Sequence, residues 1–324
     1  MMHQSLLHEP VEIGGHTFSA IALEDLPRLS SACERASTSL WASYPPFLLS
    51  YGQSQARAVL VGEVDAALVI LLRRKVRGRD HLDLVIPPLS QRSRRAYEAY
   101  ASFLNALLSL NGPDAETRLL WSDLQTAEGL SHWLGWRTRL YDREYLYGRR
   151  AVLAMEGERF RTLRKRINRC EREVAPEARP YAPNDHDACV QLLKEWQDRR
   201  QDIVGPVLDF AYTRAALDLA ADIPERFMTG IVLEVAGGIR AFAFGGPIRP
   251  GVGQFFLLKS DPAIRGLAES ARVALIGRLD GCDLINDAGD LGRPGLRQHK
   301  EMFGPVGFVP TWKASFACQT SRLP

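Results

Sequence analysis

Residues 286–305, near the C-terminus, combine acidic and basic side chains with many turn-forming residues. Seven of these side chains can bind a substrate, move a proton or stabilise charge: Asn286, Asp287, Asp290, Arg293, Arg297, His299 and Lys300. Three glycines, Gly289, Gly292 and Gly295, permit positive φ angles, and Pro294 fixes φ between two of them. We therefore expect sharp turns that hold acids and bases in place. No Ser-His-Asp or Cys-His arrangement is recognisable.

A second concentration of charge lies at residues 158–172, where seven side chains are basic: Arg159, Arg161, Arg164, Lys165, Arg166, Arg169 and Arg172. Apolar residues recur there at helical spacing, from Phe160 to Val174, and predict an amphipathic helix with one buried stripe. Arg164 and Asn168 flank this stripe, and the other basic residues face outward. A solvated basic face is the ordinary explanation. Seven like charges on four turns repel one another, however, and favour an anionic partner such as a phosphate backbone.

The elements that would position these residues form two successive sets of strands and helices, divided near residues 135–150. The first set has helices at Leu26–Ser37, Pro46–Ser50, Arg94–Leu110 and Leu124–Leu134, and strands at Arg57–Gly62, Asp65–Arg73, His81–Ile86 and Arg118–Trp121, with a turn near Gly62-Glu63. The second set has strands at Tyr141–Tyr147, Ile231–Ala236, Ile239–Phe244, Gly253–Leu258 and Leu284–Ile285, and helices at Glu158–Val174, His186–Arg200 and Ile264–Leu279. Asn184 is the predicted N-cap of the helix at 186–200, and Gly237-Gly238 the predicted hairpin turn. No internal repeat is apparent.

The composition is that of a globular protein with a substantial core. The chain has 324 residues, of which 46% are hydrophobic and 24% charged, and a net charge of +3. No apolar run reaches the roughly 18–20 residues of a membrane-spanning helix, and the N-terminus lacks a signal-peptide pattern, so we expect a cytoplasmic protein. The five scattered cysteines predict reduced thiols and neither disulfides nor a zinc site: Cys33, Cys170, Cys189, Cys282 and Cys318.

Three blocks of sequence resemble the phosphatidylglycerol lysyltransferase C-terminal domain family. The first, GERFRTLRKRINR at Gly157–Arg169, is similar to the family pattern G-x-x-[YF]-R-x-L-R-x-x-[IV]-N-R. The second, LKSDPAIRG at Leu258–Gly266, is similar to K-x-D-x-x-[IV]-x-G. The third consists of Asp290-Leu291-Gly292, Gly295-Leu296-Arg297, Lys300 and Pro305. One departure is clear, since Ala288 stands where the family usually has Glu.

The resemblance implies an α/β protein of two tandem acetyltransferase-like (GNAT) modules, each a mixed, mostly antiparallel sheet with flanking helices. We expect these modules at residues 1–140 and 141–324. It also implies an enzyme that moves an amino acid from aminoacyl-tRNA, the co-substrate, without a cofactor or metal. Lipid-modifying relatives carry a large membrane-spanning part that this sequence lacks, so we expect a soluble acceptor, either a small molecule or a peptide. The sequence does not determine the oligomeric state, and a monomer is the default.

On this interpretation, Asp290 binds or deprotonates the nucleophile, and Arg297 and Lys300 stabilise negative charge or hold the terminal phosphate and ribose of the tRNA. Five further residues are expected to bind substrate: Asn286, Lys259, Asp261, Arg164 and Asn168. Six are expected to bind tRNA: Arg159, Arg161, Lys165, Arg166, Arg169 and Arg172.

Several alternatives remain open. Asp290 could serve only an Asx-type turn with Gly292, Arg297 and Lys300 could lie on a plain helix face, Lys259 and Asp261 could pair with each other, and His299 could be a surface residue. One alternative function is that of an acyl-CoA-dependent N-acyltransferase, although the loop at 263–268 offers a single glycine for the pyrophosphate. The other is that of a non-catalytic tRNA- or anion-binding protein, which Ala288 favours.

Overall fold

The computed structural model describes residues 6–53, 56–90, 94–204 and 209–316. The described residues form two compact units, the first from 6–142 together with 309–316 and the second from 143–308. The chain therefore enters the second unit and returns to the first before it ends.

The first unit contains a mixed sheet flanked by helices. Its elements are β1 (Val11–Ile13), β2 (His16–Ala20), α1 (Leu26–Arg35), α2 (Pro45–Gly52), β3 (Arg57–Val64), β4 (Ala67–Val76), β5 (Arg79–Leu84), α3 (Arg94–Asn111), β6 (Thr117–Ser122) and α4 (Leu124–Leu134). Strands β1 to β5 pair antiparallel in chain order. Strand β6 lies parallel to β5, with Leu84 beside Leu119, because helix α3 carries the chain back between them.

The elements of the second unit begin with an additional strand and two helices and then follow the order of the first unit from β2 onward. They are β7 (Arg137–Gly148), α5 (Arg149–Ala154), α6 (Arg161–Val174), β8 (Glu177–Pro180), α7 (His186–Val204), α8 (Phe210–Leu219), β9 (Thr229–Val235), β10 (Gly238–Arg249), β11 (Gly251–Ser260), α9 (Leu267–Arg278), β12 (Cys282–Asn286), α10 (Pro294–Glu301) and finally β13 (Gly307–Phe316). Strands β8 to β11 are antiparallel, β12 is parallel to β11, and β12 pairs antiparallel with β7. In the first unit, residues of β13 pair antiparallel with β6.

From β2 in the first unit and from β8 in the second, each unit thus has one strand, two helices, three antiparallel strands, a helix and a parallel strand. This confirms the predicted α/β fold of two acetyltransferase-like modules. The repeat is invisible in the sequence because the two units share their order of elements and not their residues.

Each unit has its own core. In the second unit, helix α6 buries Leu163 and Cys170, and Phe160 is buried just before it, as the apolar stripe predicts; helix α9 packs beside α6 through Leu267 and Leu275. The four cysteines among the described residues are free and buried, which agrees with the prediction of core thiols. Cys318 lies outside the described residues.

Three local predictions are wrong in detail. The β9–β10 turn is at Ala236 and Gly237, with φ of 51° and 76°, and the β3–β4 turn is at 65–66, where φ is also positive. Gly62 lies inside β3, where a Cβ would stand 2.6 Å from the Phe18 ring. Helix α7 follows a short 3-10 turn, so Asp185 and not Asn184 precedes it; the Asp185 carboxylate accepts from the Ala182 N–H at 2.8 Å.

Candidate active site

The chain turns sharply after strand β12, but only one of the three glycines has the positive φ that the sequence predicts. Of Gly289, Gly292 and Gly295, Gly292 alone has a positive φ, 70°. Between β12 and α10, the other two left-handed residues are Ala288 and Leu291, at 55° and 54°. Non-glycine residues rarely adopt this conformation, so other contacts must stabilise the turn.

Two side chains stabilise the turn through hydrogen bonds to the backbone two residues further on. The Oδ1 atom of Asn286 accepts the N–H of Ala288, and the Oδ1 atom of Asp290 accepts the N–H of Gly292, each at 2.8 Å. Both are Asx-type turns, which Asn and Asp favour because of their short polar side chains. Asp290 therefore does form an Asx-type turn with Gly292, but with only one of its two carboxylate oxygens.

The second oxygen of Asp290 joins a tyrosine and an arginine. The Tyr145 hydroxyl of β7 donates to Oδ2 at 2.7 Å, and Arg297 Nε of α10 donates to the same atom at 2.9 Å. The side chain of Asp290 is 7% exposed, whereas that of Arg297 is 55% exposed. A buried carboxylate thus holds a guanidinium side chain that is largely exposed to solvent.

The charge state of this group follows from its contacts. The hydrogen bond from Arg297 lowers the pKa of Asp290 from 3.8 to about 2, and the Tyr145 hydroxyl and the Gly292 N–H add to it against the opposing effect of burial. Burial and the bond to Asp290 in turn raise the pKa of Tyr145 to about 12. Near neutral pH the site therefore contains an ionised carboxylate of low basicity and a neutral phenol.

Asp287 lies beside this group and is fully enclosed. Its Oδ2 atom accepts from the Tyr147 hydroxyl at 2.9 Å and lies 3.3 Å from Lys300 Nζ, and its Oδ1 atom pairs with Arg272 of α9. Burial alone would raise the pKa of Asp287, but the charges of Arg272 and Lys300 keep it below its usual value. Arg272 also stacks over the Phe255 ring at 4.0 Å.

Lys300 is buried and directed at the backbone of the turn. Its ammonium group donates to the carbonyl oxygens of Asp287 and, at 3.3 Å, of Ala288, and the residue is 4% exposed. These contacts close the turn between β12 and α10. The geometry makes Lys300 a positioning residue for the segment that carries Asp290.

Asn286, also expected at the site, ends strand β12 and is fully buried. Its Nδ2 atom donates to Glu144 Oε2 on β7 at 2.7 Å. The antiparallel pairing of β7 with β12, with Leu146 opposite Asn286, brings these residues together. The same register places Tyr145 and Tyr147 beside the turn.

The two remaining motif residues, Lys259 and Asp261, do not pair with each other. Lys259 is buried at the end of β11, where Nζ lies 2.5 Å from Asp209 and 4.3 Å from the centre of the Trp196 ring. Asp261 instead accepts from Arg199 of α7 at 2.8 Å. Neither contacts the carboxylates of Asp287 or Asp290, so the structure does not gather all the predicted residues into one cluster.

The basic helix presents its charges to solvent as expected. Six cationic residues are exposed, namely Arg159, Arg161, Lys165, Arg166, Arg169 and Arg172. Asn168 is exposed as well. Arg164 differs from them because it is half-buried and donates to the carbonyl oxygens of Met155 and, at 2.8 Å, of Gly157. Its contacts connect α6 to the end of α5.

Helix α6 is joined to both α9 and α10 through Glu269. The Glu269 Oε1 atom lies 2.7 Å from Arg166 Nη1 and 3.5 Å from His299 Nδ1. Burial opposes ionisation of Glu269, but His299 and Arg166 lower its pKa to about 2. His299 is therefore a bridging residue and not a free surface residue. Through this contact the exposed basic face borders the helix that carries Arg297 and Lys300.

The helices α6 and α9 approach each other so closely that only glycine fits between them. A Cβ at Gly266 would stand 2.3 Å from the Arg166 carbonyl oxygen and 2.9 Å from Cys170 Cβ. Gly266, with φ of 88°, immediately precedes α9. The start of α9 is thus covered by α6.

Four residues of the site were not predicted, namely Glu144, Tyr145, Tyr147 and Arg272. Three lie on β7, about 140 residues before their partners. Aromatic residues at alternate positions of a strand are typical of any core. Only the pairing of β7 with β12 could therefore have revealed the three residues on β7 as part of the site.

The family described as "Phosphatidylglycerol lysyltransferase, C-terminal" matches residues 122–315, more than half of the chain. The chain belongs to this family. Membership makes it a transferase of the acyltransferase kind and confirms the resemblance inferred from the three sequence blocks. No curated protein sequence matches the chain.

Solved structures with the same fold are similar over nearly the whole chain. A conserved protein of unknown function from Bacteroides thetaiotaomicron is 20% identical, with a TM-score of 0.71 over 92% of this chain and 99% of its own. L-PGS from Bacillus licheniformis is 17% identical, with a TM-score of 0.62 over 91% and 93%. FemX is 10% identical, with a TM-score of 0.61 over 93% and 97%. Among the described residues of this family member, no helix has the length and apolar character needed to cross a bilayer.

Proposed function

We propose that the protein transfers an amino acid from charged tRNA to the amine or hydroxyl of an acceptor, a small molecule or a peptide. The observation that carries this proposal is the exposed basic face of α6, which Glu269 joins directly to the helix bearing Arg297. A surface suited to a phosphate backbone thereby borders an oriented guanidinium.

The charges on α6 are only partly neutralised. Arg161 pairs with Glu158 at 3.1 Å and Arg169 with Glu173 at 2.7 Å, and all four side chains are largely exposed. Lys165 forms no ion pair with any residue that the structure describes. Exposed pairs of this kind contribute little and exchange readily, so the face is available to phosphates.

The alternative of an acyl-CoA donor is disfavoured by the packing at the start of α9. Acetyltransferase-like proteins bind pyrophosphate at the amides that begin this helix. Here the carbonyl oxygen of Arg166 lies against Gly266, and the Arg166 side chain binds Glu269 in the first turn. Helix α6 therefore covers the start of α9, where a pyrophosphate would have to bind.

The proposed chemistry needs no cofactor, because the aminoacyl ester is already activated. The acceptor nitrogen or oxygen attacks the ester carbonyl, a new C–N or C–O bond forms, and the bond to the 3′ oxygen of tRNA breaks. That oxygen leaves with the proton released by the nucleophile. Arg297, the exposed cation of the cluster, would stabilise the developing oxyanion or the terminal phosphate.

The other residues of the site would support Arg297. Asp290, whose pKa is about 2, is a poor proton acceptor near neutral pH, which favours binding and orientation over deprotonation. Lys300 would hold the turn that positions Asp290, through the carbonyl oxygens of Asp287 and Ala288.

The direct test is a transfer assay with a pool of radiolabelled aminoacyl-tRNAs and a cell extract as acceptor. Label that leaves tRNA and appears in an acceptor supports the proposal. Binding of tRNA without any transfer would support the alternative of a non-catalytic binder, for which Ala288, in place of the usual Glu, is the specific argument.

The donor site is tested by charge reversal on α6. Arg161→Glu combined with Arg169→Glu should weaken tRNA binding by orders of magnitude. The slope of log K against log salt should also become shallower, by about 0.9 for each phosphate that the protein no longer neutralises. A matched control is Arg28→Glu with Arg35→Glu on α1, where Arg28 likewise pairs with an acid three residues away. Equal affinities of the two double variants would exclude α6 as the tRNA-binding face.

The acyl-CoA alternative is tested by thermal unfolding. A ligand at 100 times its dissociation constant adds about 2.7 kcal/mol to the free energy of unfolding. We expect millimolar acetyl-CoA to leave the melting temperature unchanged. A clear rise would favour the acyl-CoA-dependent function instead.

A further inference from the structure

The first unit carries a cluster of arginines on one face of its sheet. The strand register places Arg57 opposite Arg74, and Arg74 opposite His81. The parallel contact of β5 with β6 brings Arg118 beside Asp83. Of these three arginines, Arg74 and Arg118 bind the Asp83 carboxylate.

That carboxylate is already saturated. Asp83 is fully buried, and its Oδ1 atom accepts from His81 Nε2 at 3.1 Å and from the backbone N–H of Arg118 at 3.0 Å. Its Oδ2 atom accepts from Arg74 Nε at 3.0 Å and from Arg118 Nη2 at 2.7 Å. These contacts hold the pKa of Asp83 well below its usual range against burial. The single negative charge of Asp83 is thus shared by two arginines, and each of its oxygens already accepts at least two hydrogen bonds.

Further cations surround this group without acidic partners. Within the described part of the chain, Arg57, Arg139 and Lys313 form no ion pair. Two other acids are within electrostatic reach. The bond to Asp83 is the largest cause of the raised pKa of Arg118, and Glu116 adds to it. Burial is the largest cause of the raised pKa of Tyr141, and Asp142 adds to it. The described cations still outnumber the acids.

Lys313 shows the effect of this crowding. Burial lowers the pKa of its ammonium group, and the positive charges of Arg139 and Arg118 lower it further. A bound anion would relieve this repulsion.

Aromatic rings lie among these cations. The Arg57 guanidinium is 3.8 Å from the centre of the Tyr51 ring, and Lys313 Nζ is 3.4 Å from that of Tyr141. Trp121 packs edge-on against Tyr51, with 5.8 Å between ring centres. Tyr141 is 38% exposed, and Tyr51 and Trp121 are half-buried. Partly exposed rings between arginines form the kind of surface on which nucleic-acid bases stack.

We propose that this face of the first unit binds a nucleotide, with Arg139 and Lys313 holding the phosphate and Tyr141 and Trp121 contacting the base. A free nucleotide and the 3′ end of an RNA present the same chemistry, a phosphate beside a flat ring. The site goes beyond the proposed transfer, because it needs neither α6 nor the cluster around Asp290.

Binding can be measured on the full-length protein by titration calorimetry and by quenching of tryptophan fluorescence. The probes are AMP, adenosine, inorganic phosphate and the trinucleotide CCA. AMP or CCA should bind at least tenfold more tightly than adenosine or phosphate alone. If CCA binds more tightly than AMP, the ligand of this face is an RNA end. Equal affinities for CCA and AMP indicate a free nucleotide. No binding of AMP and CCA at millimolar concentration would overturn the proposal.

Two substitutions locate the site. Lys313→Met and Arg139→Gln should each weaken AMP binding at least tenfold; Arg139 is exposed, so its replacement leaves the core intact. Lys75→Met is the control, because Lys75 belongs to the same unit but pairs with Asp80 at 2.7 Å. Equal effects of all three would overturn the assignment. The Arg161→Glu and Arg169→Glu double variant should keep its AMP affinity, which separates failure of this site from failure of the tRNA face.

Discussion

Replacing Asp290 with Asn isolates the charge of the carboxylate from its role in the turn. The amide oxygen of Asn can still accept the Gly292 N–H, so the Asx-type turn should persist. The ionic bond to Arg297 is removed, and the guanidinium is no longer fixed. We therefore expect a small loss of stability and a large loss of transfer rate.

The size of the stability loss follows from the pKa. A shift of Asp290 from 3.8 to about 2 corresponds to at most about 2.5 kcal/mol, at about 1.4 kcal/mol for each factor of ten. Because the Arg297 side chain is 55% exposed, solvent screening reduces the expected loss to about 1 kcal/mol. Since the folded pKa is depressed, this contribution is complete above the unfolded pKa of 3.8. It disappears as the pH falls from there towards 2.

The transfer rate should fall by about 10²–10⁴, because Arg297, the cation proposed to stabilise the oxyanion, loses its orientation. The assay is single-turnover transfer from labelled aminoacyl-tRNA, with urea unfolding of the same samples. Asp283→Asn is the control, since Asp283 is exposed on β12, the strand that leads into the turn. In the wild type, Asp290 should cause no inflection in the pH–rate profile above about pH 5.

Two results would refute this reasoning. If Asp290→Asn is fully active while Asp290→Ala unfolds the protein, the carboxylate is structural. If the wild type shows an inflection between pH 5 and 7 that Asp290→Asn abolishes, Asp290 is a general base with a raised pKa.

Two further predictions concern stability, measured by urea unfolding. Asp287→Asn should lower the free energy of unfolding by about 3–5 kcal/mol, because two buried cations lose their counter-charge. The control is Asp280→Asn, at a carboxylate that is 87% exposed, and it should cost about 1 kcal/mol or less. Similar losses for both variants would show that the buried ion pairs of Asp287 do not stabilise the fold. Gly266→Ala should cost about 1–3 kcal/mol, because the added methyl meets a carbonyl of α6. Gly277→Ala, whose methyl has no neighbour nearer than 3.7 Å, should be neutral or slightly stabilising, and an equal loss at both positions would contradict the close approach of α6 and α9.

The sequence by itself determined the elements whose signal is local. The apolar stripe of α6, from Phe160 to Val174, specifies both the helix and its exposed basic face, because a helix repeats every 3.6 residues whatever surrounds it. Helix α4 was predicted with its observed limits, since Asp123 caps its start through the N–H of Thr126 and Gly135 ends it in a left-handed conformation. The three family blocks likewise depend only on residues and spacing.

Only the tertiary structure decided which charges are buried and what they contact. Lys300 and Arg297 are three residues apart on one short helix, yet Lys300 is enclosed and Arg297 reaches solvent. The partners Tyr145 and Tyr147 come from β7, and the register of β7 against β12 places them there. The return of residues 309–316 to the first unit is equally non-local. Contacts between residues about 140 positions apart depend on strand order and register, and a pattern read along a few residues contains neither.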